Sequence, residues 1–161
     1  MIKIRNPFTD MGTQHDYNCF GCSPYNEIGL QLDFWEKDEE LIAKWKPRKS
    51  LEGWMDVVHG GIQASLIDEL AGWIVLIKMK TAGVTSELNV RYLKPVNISK
   101  GEITITGKLV SVDKRLAKIS VELFDGEGQK CALADVVYFC FPEKIAKAKY
   151  HYPGYNAFYK Q

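Results

Sequence analysis

The feature that most constrains the fold is one long apolar segment, from about Gly60 to Lys80, between stretches of different periodicity. Apolar residues recur there at positions 62, 66, 70, 73, 74 and 77, and such spacings of three and four are typical of an α-helix. Much of the opposite face is also apolar or small, so we expect this helix to be enclosed by protein. Lys78 and Lys80 suit the C-terminal end of the helix dipole, and Gly83 is the expected cap.

Sequence that alternates between apolar and polar residues flanks this helix on both sides. Before it, Leu30 to Phe34 and Leu41 to Trp45 predict a hairpin. After it, four strands are expected at about residues 85 to 93, 101 to 112, 115 to 124 and 130 to 141. The connections are short enough for an antiparallel sheet, and one helix against one sheet is covered only if the sheet curls around it. We therefore expect an α+β fold with a curled antiparallel sheet of five to six strands around one long central helix.

Length and charge narrow the class of protein. A chain of 161 residues predicts a single domain over residues 1–161. A net charge of +1 provides no global field for nucleic acid or an acidic membrane surface. The longest apolar run, Ala71 to Ile77, is shorter than the roughly 20 residues of a membrane span, and the N-terminus lacks an apolar signal core. We expect a cytoplasmic protein with no nucleic-acid or membrane partner.

Four cysteines allow more than one interpretation. Cys19 and Cys22 have the spacing of half a zinc site or of a redox pair. Cys131 and Cys140 lie in strand-like sequence and do not complete a metal-ligand set. The favoured interpretation is a tight turn with packed thiols, and we expect no metal and no cofactor.

The C-terminal tail is unusually aromatic. Between Glu143 and Gln161 it carries five Tyr or Phe residues. We expect this tail to pack either on the body of the domain or on a partner chain.

The start of the helical segment carries residues suited to carbonyl chemistry. The first four N–H groups of a helix have no helical partners, and Gly60 and Gly61 let a ligand oxygen approach them. Such donors stabilise a developing oxyanion. Asp68 lies deeper in the helix, with only small residues three and four positions away, namely Ala64, Ser65, Ala71 and Gly72. This pattern leaves room for a ligand beside the carboxylate.

Helix geometry separates these two groups. Eight residues span about 12 Å, which is long for Gly60 and Asp68 to contact one carbonyl within a single chain. Either a water bridges part of the gap or the two groups come from different subunits, and we prefer the second. It also explains why the helix is apolar on so many sides.

Each residue taken alone has an ordinary interpretation. An acid on a helix is usually solvated, which we expect of Glu69 and would expect of an isolated Asp68. His15 and His151 are expected to be ordinary hydrogen-bonding residues. The combination of His59, the glycines and Asp68 at this spacing is what favours a functional site.

Three segments resemble the hotdog-fold acyl-CoA thioesterases of the PaaI type. Gly53 to Gly61, continued by Leu66-Ile67-Asp68-Glu69, is similar to the HGG motif and catalytic helix of that family. Cys19 to Leu30 resembles the N-terminal entry of bacterial members, and Val84 to Val96 resembles the strand after the helix. The resemblance covers roughly residues 19 to 142 and implies a hotdog fold.

The resemblance implies roles for individual residues. Asp68 matches the acid that activates water or attacks the thioester carbonyl, and Gly60 matches the backbone donor that polarises that carbonyl. His59 matches the residue that shapes the turn, and Thr85 matches a hydroxyl that positions water. In this family the acid of one subunit faces the glycine turn of the other, which implies a homodimer, possibly a dimer of dimers.

Further residues are expected to bind substrate. Gly61 and Gln63 lie beside the glycine turn, and Lys114 with Arg115 either meets the CoA phosphates or forms a solvated turn. Many family members carry Asn or Gln six residues before the histidine, where this chain has Gly53. A side-chain donor is therefore absent there or comes from elsewhere, such as Gln63.

The leading hypothesis is an acyl-CoA thioesterase without a cofactor, since CoA is part of the substrate. The alternative, motivated by Gly53, is a non-catalytic acyl-CoA-binding protein. A hotdog dehydratase is a weaker option, because it needs a catalytic histidine facing the acid, whereas His59 begins the glycine turn.

Overall fold

A seven-stranded antiparallel sheet surrounds one long helix in the computed structural model, which describes residues 1–12 and 16–159. The strands are β1 (Ile2–Ile4), β2 (Asp33–Lys37), β3 (Glu40–Trp45), β4 (Gly83–Tyr92), β5 (Ile103–Asp113), β6 (Leu116–Phe124) and β7 (Lys130–Cys140). Their spatial order is β1-β2-β3-β5-β6-β7-β4, with antiparallel pairing throughout. The predicted architecture is confirmed, with more strands than the five to six expected. The additional strand is β1, near the N-terminus, where no strand was predicted.

The central helix α1 (Gly60–Ile74) continues through a π-helical turn, Val75–Met79. The predicted cap at Gly83 is wrong, because the helix ends at Lys80, which takes a left-handed conformation with φ 54°. Gly83 instead opens β4.

The helix supplies the centre of the hydrophobic core. Leu66, Ile67, Leu70 and Ile74 are fully buried, and the Trp73 ring stacks on Phe34 of β2 at a centroid distance of 4.2 Å. Within the 20 residues Gly60–Met79, an 18-residue window has a mean hydropathy of 1.3, so this segment would pass for a membrane span by length and composition. Their packing against the surrounding strands makes them the core helix of this fold.

The aromatic tail packs on the body of its own chain. It forms α2 (Glu143–Tyr150) and then a short 3₁₀ turn that ends at Phe158, which is fully buried. The Phe158 ring meets Trp73 edge to face, with centroids 5.7 Å apart. Of the two expected arrangements, the structure therefore shows the intramolecular one. The expectation for His15 lies outside the described residues.

Candidate active site

His59 forms the N-cap of α1. Its Nδ1 accepts a hydrogen bond from the Gly61 N–H at 2.9 Å, and its carbonyl accepts from the N–H groups of Ile62 and Gln63. Within the part of the chain that the structure describes, the Gly60 N–H donates to no acceptor. The turn therefore presents one unused backbone donor at Gly60, while the amide of Gly61 is occupied by the histidine.

A cavity of about 650 Å³ opens beside this turn and is lined by residues that include Gly53, His59, Gly60 and Gln63. The Gln63 side chain is buried, and its Nε2 donates to the Val58 carbonyl at 3.0 Å. Its Oε1 has no hydrogen-bond partner among the residues that the structure describes. The one side-chain amide at the turn thus has a donor engaged with the backbone and a free acceptor.

Asp68 is half-buried, and one of its oxygens is held by two hydroxyl groups. Thr85 Oγ1 of β4 donates to Asp68 Oδ1 at 2.8 Å. The Tyr138 hydroxyl of β7 lies 3.0 Å from the same oxygen and 2.9 Å from the Asp68 carbonyl. Among the described residues, Oδ2 accepts no hydrogen bond. The carboxylate is therefore fixed at one oxygen and available at the other.

Tyr138 is the residue of this group that the sequence analysis did not identify. It faces Thr85 across the β4–β7 pairing, and its hydroxyl fills space over Gly72, where a Cβ would lie 3.1 Å from the oxygen. Burial, followed by the charge of Asp68, raises the pKa of Tyr138, so the hydroxyl remains a donor at neutral pH. Part of the room predicted beside Asp68 is thus occupied by this side chain.

Gly60 and Asp68 lie at opposite ends of β4. The Tyr92 hydroxyl, at the end of the strand, donates to the Gly60 carbonyl at 2.7 Å. Thr85, near its start, contacts Asp68. Eight helical residues correspond to about 12 Å, so one chain does not bring the acid and the glycine donor to the same atom.

Lys114 and Arg115 form the turn between β5 and β6, and both side chains are exposed. The strand after the turn begins at Leu116, which pairs with Phe139, next to Tyr138. The pair of basic residues therefore lies at the Asp68 end of the sheet and makes no contact with Asp68.

The expectation that Glu69 is solvated is wrong, because this side chain is half-buried. Its carboxylate accepts a hydrogen bond from Trp73 Nε1 at 3.1 Å and lies 3.5 Å from Cys19 Sγ. Burial raises the pKa of Glu69. The N-terminal turn that carries Cys19 and Cys22 covers this face of α1, which hydrophobic periodicity along the helix does not reveal.

A curled antiparallel sheet around one long central helix is the hotdog fold. Residues 55–132 match the model of the thioesterase superfamily. A Saccharolobus solfataricus protein named "Putative esterase SSO1253" is 31% identical over 112 residues, which cover 68% of this chain and 72% of that protein. This chain therefore belongs to the thioesterase superfamily.

Two further proteins support this assignment. An Escherichia coli protein named medium/long-chain acyl-CoA thioesterase YigI is 28% identical over 133 residues, covering 71% of this chain and 84% of that protein. The crystal structure of the thioesterase superfamily protein RHA08564 superposes with a TM-score of 0.64 at 25% identity, covering 72% of this chain and 60% of the other.

For the thioester hydrolysis proposed below, replacing Tyr138 by phenylalanine is expected to lower kcat about 10- to 100-fold, because a hydrogen bond to a charged group contributes roughly 1.5–3 kcal/mol. KM should change little, since Tyr138 acts by positioning the Asp68 carboxylate. The control is Tyr152→Phe, which removes another buried tyrosine hydroxyl that contacts the Leu76 carbonyl. Equal kcat values for the two variants would contradict the positioning role.

Proposed function

We propose that this protein is an acyl-CoA thioesterase that hydrolyses an acyl-CoA thioester to the free acid and CoA. The observation that carries the proposal is the Asp68 carboxylate, fixed at Oδ1 by Thr85 and Tyr138 and free at Oδ2. A carboxylate held in this way can take a proton from water or attack a carbonyl carbon itself. The name of the Escherichia coli relative points to acyl-CoA as the substrate class.

The proposed reaction uses only groups of the protein and water. In one route, Asp68 takes a proton from a water molecule while the water oxygen attacks the thioester carbon. In the other, Asp68 itself attacks that carbon, the thiolate leaves, and water hydrolyses the resulting anhydride to release the acid and restore Asp68. The backbone N–H of Gly60 stabilises the oxyanion that forms. The carbon–sulfur bond breaks, and the CoA thiolate leaves without strong acid assistance. The reaction thus requires no cofactor.

We propose that the site is completed by a second copy of this chain. β4 is the last strand of the described sheet, where β7 is its only partner, and it is exposed along most of its length. Antiparallel pairing of two β4 strands about a two-fold axis near Leu88 would place the Thr85 end of one strand beside the Tyr92 end of the other. The Asp68 of one subunit then approaches the Gly60 N–H of its partner. Such dimers can also pair into a dimer of dimers.

Leu88→Lys is expected to raise the dissociation constant of this dimer at least tenfold and to reduce the rate of hydrolysis in the same proportion. Leu88 is exposed on the free edge strand, and two lysines facing each other across the axis would repel. Sedimentation velocity over a concentration series, with hydrolysis measured at the same concentrations, tests this. The control is Val110→Lys, which changes an exposed apolar residue on a different strand, β5. It should leave both dimerisation and hydrolysis unchanged. A fully active monomer would refute the shared site.

Hydrolysis of a panel of acyl-CoA substrates tests the activity directly. Release of free thiol is followed for short, medium, long and aromatic acyl chains. We expect turnover that saturates with at least one class.

Gly53 favours a second candidate, a non-catalytic acyl-CoA-binding protein, because glycine has no side-chain donor. At Gln63, one of the two amide N–H groups is already engaged by the Val58 carbonyl. Tight acyl-CoA binding by calorimetry, with no thiol release across the panel, would decide for that candidate and against the thioesterase.

We also propose a cytoplasmic location, without a membrane or nucleic-acid partner. All four cysteines are free, which is usual in a reducing compartment.

A further inference from the structure

Cys19, Cys22 and Glu69 form a compact cluster of potential metal ligands outside the proposed reaction. One ligand atom from each residue lies within 4.8 Å of the others. Cys19 Sγ is 3.5 Å from Glu69 Oε1 and 3.7 Å from Oε2. Zinc bonds of about 2.3 Å to sulfur and 2.0–2.2 Å to oxygen require ligand atoms roughly 3.5–3.8 Å apart in a tetrahedron. The cluster therefore has nearly the spacing of a zinc site.

The backbone of the cysteine turn is shaped around the Glu69 carboxylate. A Cβ on Gly21 would lie 2.2 Å from Glu69 Cδ, so a side chain at that position would displace the carboxylate.

Neighbouring side chains support two of these ligands. The Tyr17 hydroxyl lies 2.7 Å from Cys22 Sγ and is itself held by the Asn6 amide at 3.1 Å. Trp73 Nε1 donates to Glu69 Oε1 at 3.1 Å. Metal ligands in proteins are usually oriented by such outer hydrogen bonds.

The negative charge of Glu69 independently favours a bound cation. Within the described residues, no lysine or arginine forms an ion pair with Glu69, although Asp68 is its neighbour in sequence. Glu69 is half-buried, and a carboxylate withdrawn from water is costly unless a cation compensates it. Two thiolates with one carboxylate are a soft ligand set that suits Zn²⁺ better than Mg²⁺ or Ca²⁺.

We propose that Cys19, Cys22 and Glu69 bind one Zn²⁺ ion. All three residues line a cavity of about 440 Å³, together with Tyr138 and His151, which leaves room for a water as the fourth ligand. The ion would join the N-terminal turn to α1 one residue from Asp68. This proposal differs from the packed thiols expected from the sequence, because α1 supplies a third ligand, Glu69, 47 residues after Cys22.

Cobalt and zinc binding to the full-length protein test this site. The protein is treated with a chelator and a reductant and then titrated with Co²⁺, followed by Zn²⁺. We expect one equivalent of Co²⁺ with a thiolate-to-cobalt absorption band, which one equivalent of Zn²⁺ abolishes. Zn²⁺ should also raise the melting temperature.

Variants identify the ligands. Cys19→Ser should remove the cobalt band, and Glu69→Gln should weaken zinc binding at least tenfold. The glutamine keeps the volume and can still accept from Trp73, so this variant should fold as the parent does. Asp68→Asn is the matched control, because it neutralises the adjacent carboxylate and should leave zinc affinity unchanged.

Three results would overturn the proposal. They are zinc uptake no greater than that of the Cys19→Ser variant, equal affinity for the parent and Glu69→Gln, and a Cys19–Cys22 disulfide whose reduced form takes up no metal. Far-ultraviolet circular dichroism shows that each variant is folded. None of these measurements depends on thioester hydrolysis.

Discussion

Asp68→Asn is expected to lower kcat for acyl-CoA hydrolysis by about 10² to 10⁴, the usual contribution of a general acid or base. The amide oxygen of asparagine can still accept from Thr85 and Tyr138, so the side chain should keep its place. The amide cannot take a proton from water or attack the carbonyl. Steady-state release of free thiol, with the acyl-CoA that turns over fastest, measures the effect.

Two controls separate chemistry from folding. Acyl-CoA affinity of the asparagine variant, measured by calorimetry, should stay within a few-fold of the parent. Asp135→Asn, a change of the same type at an exposed position on β7, should leave kcat unaltered. If Asp68→Asn and Asp135→Asn were equally active, Asp68 would have no part in the mechanism.

Phe158→Ala is expected to reduce the free energy of unfolding by about 3–5 kcal/mol, as for other fully buried aromatic residues. The ring contacts Trp73 edge to face and has further aromatic neighbours in Phe8 and Tyr152. Its removal leaves a cavity between the tail and the core, beside the helix that carries Asp68. Equilibrium urea denaturation measures the change.

Ile145→Ala is the matched control for the tail. This residue lies on α2 and is 37% exposed, so its truncation should cost less than about 1 kcal/mol. A Phe158→Ala variant as stable as Ile145→Ala would show that the tail unfolds separately from the core.

Secondary structure was predictable where apolar residues kept one period over many positions and the period then changed abruptly. The helix expected from 60 to 80 occupies 60–79, and the four strands after it lie within two residues of the expected bounds. The first strand of the hairpin was placed about three residues early. Leu30 and Leu32 are buried as the alternation suggested, but they precede the residues that pair with β3.

Short and distant elements were not predictable. β1 contains three residues, too few for a period, and it is stabilised by pairing with β2 some 30 residues further along. Glu69 has the sequence context of a solvated helical acid, and the N-terminal turn that carries Cys19 covers part of it.

The sequence by itself determined the alternation of strands and helix and placed a glycine turn and an acid on one helix. These features depend on residues within a few positions of each other, so periodicity and helix rise are enough to read them. Only the tertiary structure decided that Thr85 and Tyr138 meet Asp68, that the cysteine turn meets Glu69, and that Phe158 meets Trp73. The partners in these contacts lie 17 to 85 residues apart in the chain. Sheet register and core packing bring them together, and neither is encoded in a local pattern.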